Sequence, residues 1–291
     1  MSSKMTRREF VVAGTGVACA AALAAAPAHA QTAPLTIGYR ARRTGEVIEG
    51  RTFQDVAIGI HVRANNVTIR RCLFRRLMSN GSNGTAIVVD KGIVGTRIVE
   101  CEVDGSASIS HGAGIALHPG SRAAEVCDCY IHHMQRVGIS IGSTTYAEFA
   151  TALPEQSEHL IARNVIEYCG TLGATGDAGS GIVIVGMSHR HVLRENRIRR
   201  NHGHGIVLSG SRQGDGSSGT PKFDEAPTWN TLAQNIVEYN GEDGIRNCGA
   251  NYTWIRHNFC YANGGAQIRI ASLGGLADAR DIELMANRQI G

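Results

Sequence analysis

Residues 181–208 read GIVIVGMSHRHVLRENRIRRNHGHGIVL and contain one full period of a repeat. A Gly-Ile start at Gly181 returns at Gly205, and the segment HVLRENRI lies between the two. Apolar residues alternate within each short run, and the i, i+3, i+4 spacing of an amphipathic helix is missing. Short runs rich in Ile and Val, bounded by Gly, Asn and Ser, predict β-strands. The stretch therefore predicts two or three strands in a period of 206 − 182 = 24 residues, counted from Ile182 to Ile206.

The same two segments recur along almost the whole chain. Gly-Ile-type starts occur eight times, as GIHV, AIVV, GIAL, GISI, GIVI, GIVL, GIRN and QIRI. The second series carries one small residue at a fixed place: Cys72, Cys101, Cys129, Asn164, Asn196, Asn235, Asn258 and Asn287. A repeat of this size cannot bury its apolar face alone, so stacked copies share one core. We therefore predict an all-β parallel β-helix of about eight coils.

The fixed small residues predict a ladder inside this solenoid. Equivalent residues of successive coils lie about 4.8 Å apart, and side-chain amides at an inward turn bond one another and satisfy buried backbone groups. Cysteine is expected to replace asparagine in the first three coils as a small apolar filler.

This pattern resembles the pectin-lyase-like superfamily of right-handed, single-stranded parallel β-helix proteins, over roughly Glu46 to Ile290. The resemblance implies the fold. It implies no single function, because the superfamily includes polysaccharide lyases, glycoside hydrolases, uronate epimerases and phage or surface binding proteins.

The N-terminal residues predict an export signal. A basic start, TRREF, precedes the apolar run VVAGTGVACAAALAAA and a small-residue cleavage site at Ala28-His29-Ala30. The pair Arg7-Arg8 followed by Phe10 resembles the twin-arginine signal. We expect residues 1–30 to be the signal, 31–45 an N-terminal segment and cap, and 46–291 the β-helix of a periplasmic or secreted protein.

Composition excludes several classes of partner. The net charge of +4 becomes +4 − 3 + 1 = +2 without the signal, and no basic block is present, so nucleic acid is not an expected partner. No later segment is apolar enough for a membrane helix. Seven cysteines follow residue 30, an odd number without paired CxxC motifs. That count argues against a zinc site or a dense disulfide framework, and no metal site is predicted.

Loop lengths indicate where a site would lie. Three long gaps, 142–159, 170–180 and 210–229, fall in adjacent coils on both sides of the Gly-Ile strands. Long loops on a regular scaffold are usually functional, so we expect these three loops to form the walls of a cleft. Strand alternation places Ile206 and Leu208 inside and exposes Val207 and Ser209 on its floor.

Ionisable residues precede the Gly-Ile strands of three successive coils. Asp177, His204 and Asp243 are the predicted catalytic residues. Carboxylates two coils apart lie roughly 9.6 Å from each other if their turns align, close to the range of about 6.5–9.5 Å for inverting glycosidases. The residues expected to bind substrate are Arg246, Arg269, His118, Ser209, His202, Tyr146 and Trp229.

Motif resemblances support only part of this set. Gly203-His204-Gly205 is similar to the Gly-His-Gly of the polygalacturonase family. That family has two adjacent aspartates where only Asp177 stands, and its Asn-Thr-Asp and Arg-x-Lys motifs are missing. The Asp-Pro-His motif of uronate epimerases is also absent, because His118-Pro119 has the reverse order and no aspartate.

Two classes of function follow. The first is an exported enzyme that cleaves glycosidic bonds of an acidic, uronate-containing polysaccharide, with hydrolysis favoured over β-elimination. Asp177 and Asp243 would be acid and base, and His204 would orient one of them or the leaving group. In elimination an arginine would neutralise the uronate. Hydrolysis implies no cofactor, and calcium would enter only with the lyase, although no dense acidic cluster is visible. The second class is a non-catalytic glycan-binding or surface-structural β-helix.

Overall fold

The computed structural model describes residues 36–78, 84–108, 112–142, 156–171, 173, 176–186, 188–209, 227–271 and 282–290. All of them belong to one compact unit, residues 32–291. This part of the chain contains 29 short strands, numbered here in chain order, and one turn of 3-10 helix at Gly176–Gly179. None of its helices has the length and hydropathy needed to cross a membrane. The predicted signal lies outside the described residues.

Three parallel sheets of nine strands each form the body of the protein. The first sheet contains β1 (Ile37–Ala41), β4 (Ile58–Val62), β7 (Thr85–Val89), β10 (Ile115–Leu117), β13 (Ile139–Ile141), β17 (Ile182–Val185), β21 (Ile206–Ser209), β24 (Ile245–Cys248) and β27 (Ile268–Ala271). The second contains β2 (Val47–Glu49), β5 (Thr68–Arg70), β8 (Arg97–Val99), β11 (Glu125–Cys127), β15 (Leu160–Ala162), β19 (Val192–Arg194), β22 (Thr231–Ala233), β25 (Trp254–Arg256) and β28 (Glu283–Met285). The third contains β3 (Thr52–Gln54), β6 (Leu73–Arg75), β9 (Glu102–Asp104), β12 (Tyr130–His132), β16 (Val165–Glu167), β20 (Arg197–Arg199), β23 (Ile236–Glu238), β26 (Phe259–Tyr261) and β29 (Arg288–Ile290).

One strand from each sheet makes a coil, and the coils stack in register. Ile182 pairs with Ile206 across β17 and β21, as the 24-residue period predicts. The predicted parallel β-helix is therefore confirmed. Each described sheet has nine strands instead of about eight, because β1, β2 and β3 form a coil before the first recognised repeat. In addition, β14 (Gln156–Ser157) pairs with β18 (Ser188–His189).

The corner between the second and third sheets is the most regular feature of the fold. Two residues separate the strands there in each coil, and the first has a left-handed backbone. From the second coil on these residues, with φ of 48–58°, are Arg71, Glu100, Asp128, Arg163, Glu195, Gln234, His257 and Ala286. The second residue at each of these corners is the predicted Cys or Asn. A single left-handed residue turns the chain sharply enough to direct the next side chain inward. We call this turn the ladder corner.

The predicted asparagine ladder is confirmed. At Asn235, Oδ1 accepts the backbone N–H of Asn196 at 3.0 Å, and Nδ2 donates to the Leu193 carbonyl at 2.9 Å. Cysteine does more than fill space in the first three positions. The Cys101 thiol donates to the Ile69 carbonyl at a sulfur–oxygen distance of 3.7 Å, and the same sulfur accepts from the backbone of Cys72.

Two further ladders stand at the other corners, and the sequence analysis missed both. Asn201, Asn240 and Asn263 bond one another between the third and first sheets. Between the first and second sheets, the buried rings of His159 and His191 stack 4.8 Å apart with planes 3° from parallel.

The interior is one apolar core, lined by the inward residues of all three sheets. A second apolar cluster, Val183, Val185 and Val207, lies on the outer face of the first sheet. Val207 is fully buried and Ser209 is 9% exposed. The expectation that these two residues form an exposed floor is therefore wrong, because the first sheet is covered on both faces at this level.

Candidate functional site

A column of hydrogen-bond acceptors precedes the first-sheet strands and sets the geometry of the candidate site. The Ser180 hydroxyl accepts the backbone N–H of His204 at 3.1 Å. His204 Nδ1 in turn accepts the N–H of Asp243 at 2.9 Å, and Asp243 Oδ1 accepts that of Ala266 at 2.8 Å. The glycine that follows is required at Gly205, where a Cβ would collide with the Val237 side chain and the Gly244 carbonyl.

The acceptor column fixes the tautomer of His204. Because Nδ1 accepts an amide proton, the neutral ring carries its own proton on Nε2. That nitrogen lies 2.9 Å from Glu242 Oε2 and donates to it. Arg246 Nη1 lies 3.0 Å from the same nitrogen. Neither the protonated His204 Nε2 nor the Arg246 guanidinium can accept a hydrogen bond. The two groups are therefore both donors, and they lie side by side near the Glu242 carboxylate.

Burial favours the neutral form of the His204 imidazole. The ring is 1% exposed, whereas the Glu242 side chain is 33% exposed. Burial lowers the pKa of the His204 imidazole below its usual value, and the Arg246 charge acts in the same direction, against the opposing effect of Glu242. The site therefore presents a neutral N–H donor beside one carboxylate that solvent can reach.

Asp177 supplies a second carboxylate. It lies in the 3-10 turn before β17, and it accepts a hydrogen bond from the Ser209 hydroxyl. Burial raises the pKa of the Asp177 carboxyl, and the Arg246 charge and the Ser209 hydrogen bond only partly offset that rise. The residue as a whole is exposed. Its carboxyl thus lies among protein atoms, while the rest of the residue keeps contact with solvent.

Asp243 is engaged by structural contacts. Its Oδ2 accepts from Arg269 Nε at 2.7 Å, its Oδ1 accepts from Ala266, and the residue is 3% exposed. Burial by itself raises the pKa of the Asp243 carboxyl, but the Arg269 and Ala266 hydrogen bonds outweigh it and the pKa is lowered. Its predicted role as acid or base stays a prediction, and these contacts favour a structural role.

The structure brings together four predicted residues and one that the sequence analysis missed. Asp177, His204, Arg246 and Ser209 surround the same point, and Glu242 joins them. The missed signal is the pair Glu242-Asp243 in GEDGI. Asp243 takes the buried place in the acceptor column, and the Glu242 side chain beside it is 33% exposed.

The remaining predicted residues lie at different distances from this point. Arg269 adjoins Arg246 in strand register and pairs with Asp243. His202 is exposed one residue before Gly203. By strand register His118 precedes Ser209 by three coils, or about 14 Å, and lies near His61 instead. Tyr146 lies outside the described residues.

Trp229 belongs to an exposed group of aromatic rings. It occupies a corner before β22, stacks on Tyr252 with centroids 4.4 Å apart and planes 7° from parallel, and lies 6.2 Å from Trp254. The two tryptophans are 46% and 38% exposed. We call these three residues the aromatic platform. Exposed rings of this kind combine an apolar face with a polar edge.

The two carboxylates do not fit a calcium ion. Calcium takes six to eight oxygen ligands, whereas Asp177 and Glu242 both lie within the electrostatic reach of the Arg246 guanidinium. Among the described residues, Arg246 supplies positive charge at this point.

Comparisons with known proteins agree with the fold. The chain aligns with the periplasmic alginate epimerase AlgG at 14% identity and a TM-score of 0.61, covering 84% of this chain and 50% of AlgG. It aligns with the Dettilon tailspike protein at 15% identity and a TM-score of 0.58, covering 88% and 54%. A double mutant of the tailspike protein of E. coli bacteriophage HK620 gives 13% and 0.51, covering 89% and 45%. The chain thus spans about half the length of these structures.

A search of curated proteins finds no match. The model of the right-handed beta helix region matches residues 40–214, which is more than half of the chain. Together with the three stacked parallel sheets, this match shows that the chain belongs to the right-handed β-helix family.

Proposed function

We propose that the protein is an exported enzyme that hydrolyses glycosidic bonds of a uronate-containing polysaccharide. One observation carries the proposal: the Asp177 carboxylate and the solvent-accessible Glu242 carboxylate meet at a neutral histidine and an arginine. Glycosidases use such a carboxyl pair as acid and base. The names of the similar structures, an alginate epimerase in the periplasm and phage tailspikes, support a polysaccharide substrate and an extracytoplasmic location.

The environments of the two carboxylates assign their roles. Burial raises the pKa of Asp177, which suits the group that gives a proton to the leaving oxygen. Glu242 is the base that activates water, and His204 Nε2 holds it at 2.9 Å. Arg246 and its register neighbour Arg269 provide positive charge for a substrate carboxylate. Asp243 positions His204 and Arg269 rather than acting on substrate.

The tautomer of His204 favours hydrolysis over β-elimination. Elimination needs a base that removes the C5 proton of the uronate. His204 cannot be that base, because Nδ1 already accepts the Asp243 amide and Nε2 already carries a proton. Arg246 is a poor base as well, because the nearby Asp177 carboxylate stabilises its positive charge.

The test is a polyuronate panel with three readouts. Release of reducing ends without ultraviolet absorbance indicates hydrolysis, unsaturated-uronate absorbance indicates elimination, and a changed NMR spectrum without scission indicates epimerisation. We expect Asp177→Asn and Glu242→Gln each to lower kcat by at least about 10². Glu283→Gln, an exposed glutamate of β28, is the matched control. Unchanged turnover in both site variants would remove the assignment.

A glycan-binding role without catalysis is the second candidate, and the aromatic platform favours it. The exposed rings of Trp229, which stacks on Tyr252, and of the tilted Trp254 suit the apolar face of a sugar ring. This candidate predicts retention on a glycan array that Trp229→Ala weakens, with no product from any polysaccharide. Product formation that depends on Glu242 would exclude it.

A further inference from the structure

A second group of polar side chains lies on the third sheet, at the ends of two adjacent strands. Asp104 ends β9, His132 ends β12, and the two residues pair in register. His133 follows at the next corner with a φ of 55°. One ligand atom of each of the three residues lies within 4.8 Å of the others.

The two imidazoles approach through the same kind of nitrogen. His132 Nδ1 and His133 Nδ1 are 2.8 Å apart, and His132 Nδ1 is 3.7 Å from Asp104 Oδ1. Stacking holds both rings in place, with His132 against Tyr130 at 4.1 Å and His133 against Tyr168 at 5.0 Å. The nitrogens therefore converge because of packed rings.

The contact between His132 and Glu102 determines which His132 nitrogen can bind a metal ion. Its Nε2 lies 3.3 Å from Glu102 Oε1. If Nε2 carries the proton and donates it to Glu102, the lone pair of Nδ1 faces His133 and Asp104. A histidine that donates to a carboxylate through one nitrogen and presents the other is the arrangement that protein metal sites use. The His132 side chain is 10% exposed and Asp104 is 29% exposed, so the point is sheltered yet reachable.

We propose that Asp104, His132 and His133 bind a divalent first-row transition ion, with zinc as the reference case. Two imidazole nitrogens and one carboxylate oxygen are ligands that zinc accepts, whereas calcium and magnesium prefer oxygen. Tetrahedral zinc with bonds of about 2.1 Å needs ligand atoms about 3.4 Å apart. The His132–His133 distance would open by about 0.6 Å and the Asp104 distance would close by about 0.3 Å. Water would complete the coordination.

The ion would join neighbouring coils. Asp104 belongs to one coil, while His132 and His133 belong to the next. An ion that binds the folded chain and not the unfolded chain increases the stability of the protein as the ion concentration rises. The site lies on the third sheet, so it does not depend on the proposed hydrolase and would remain if that proposal failed.

The experiment is a zinc titration of the full chain after chelation, followed by calorimetry and by competition with a chromophoric chelator. Cobalt(II) substitution adds a spectroscopic readout, because a tetrahedral site gives intense visible bands. We expect the parent protein to bind zinc, and we expect His133→Asn to weaken binding at least about 100-fold. Asparagine tolerates the left-handed backbone at that corner. Glu102→Gln should weaken binding about 10–100-fold.

A matched control comes from another corner. His257 is exposed and has the same φ of 55°, so His257→Asn makes the same substitution away from the cluster and should leave zinc affinity unchanged. Asp104→Asn is a second test, because it removes the carboxylate ligand and keeps a local hydrogen bond. The asparagine amide oxygen can still accept the Ser106 N–H that Asp104 Oδ1 accepts now. Far-ultraviolet circular dichroism confirms the fold of each variant. Absence of zinc binding by the parent, or equal affinity in folded His133→Asn and the control, would overturn the proposal.

Discussion

Acid should destabilise this solenoid through the buried histidines of the corner between the first and second sheets. His159 Nδ1 accepts the backbone N–H of Ala124 at 3.0 Å, and His191 Nδ1 accepts that of His159 at 3.2 Å. Both rings are fully buried. Burial lowers the pKa of His159 to about 4 and lowers the pKa of His191 strongly, with the neighbouring histidines adding to that second shift. Protonation would also destroy the acceptor that holds each amide.

The size of the effect follows from the two states of His159. Its pKa is about 4 in the folded chain and about 6.5 when unfolded, so the unfolded chain binds more protons between these values. Stability present at pH 7 is therefore lost as the pH falls through that window. At about 1.4 kcal/mol per pKa unit, lowering the pH from 7 to 5 removes about 2 kcal/mol through His159 alone. His191 acts in the same direction.

The test replaces both rings with the residue that already serves in the next coil. Asn230 Oδ1 accepts the His191 N–H at 2.9 Å, so His159→Asn with His191→Asn keeps the hydrogen-bond pattern and removes the titration. Urea unfolding at pH 7, 6 and 5 gives the free energy of unfolding, and hydrogen exchange of peptides containing Ala124 reports the local opening. We expect the loss between pH 7 and 5 to shrink by at least about 2 kcal/mol in the double variant. His257→Asn, at an exposed corner, should leave the loss unchanged. An identical pH dependence in parent and double variant would refute the reasoning.

Three other outcomes can be checked. Asn235→Ala leaves the Asn196 amide and the Leu193 carbonyl without their partner. At about 1–3 kcal/mol per buried group, the change should lower the free energy of unfolding by at least about 2 kcal/mol in urea titrations. The control Gln234→Asn, at the exposed neighbouring position, should leave the free energy of unfolding unchanged. Ser209→Ala removes a hydrogen bond that lowers the pKa of Asp177, so the pKa of Asp177 should rise in the variant. Because a general acid must be protonated, the alkaline limb of the pH profile of kcat/KM should move to higher pH. An alkaline limb at the same pH would contradict the assignment of Asp177 as the acid. The seven free cysteines of the described chain are buried, and burial raises the pKa of Cys169 and Cys260 to about 12; thiol reagents should therefore label them only in denaturant, and rapid labelling at neutral pH would contradict their burial.

The repeat predicts the fold because each coil obeys the same local rules. Ile182 and Ile206 pair as their spacing requires, and Asn235 bonds its neighbours above and below. The ladder of His159 and His191 escapes the sequence analysis because the residue type changes to asparagine at Asn230 along its column. His159 and Asn230 share a role that depends on one acceptor atom, and a search for repeated letters does not detect it.

The candidate site is only partly predictable for a similar reason. His204 and Asp177 stand out by position, but the sequence does not show that Nδ1 of His204 is occupied by a backbone amide. That single contact directs Nε2 to Glu242 and leaves Asp243 to a structural ion pair. The burial of Val207 is likewise not predictable, because alternation predicts which face a side chain takes and not what covers that face.

The ladder corner restricts how this architecture can vary. Its two-residue length is the same in all nine described coils, and an inserted residue there would displace an Asn or Cys from its column and break bonds in two neighbouring coils. Length differences between coils fall instead at the other two corners, as between Ser209 and Thr231. Natural variation and protein engineering can therefore lengthen the loops at the two corners that flank the first sheet without disturbing the ladder corner. That sheet is thus the surface to which new specificities can be added.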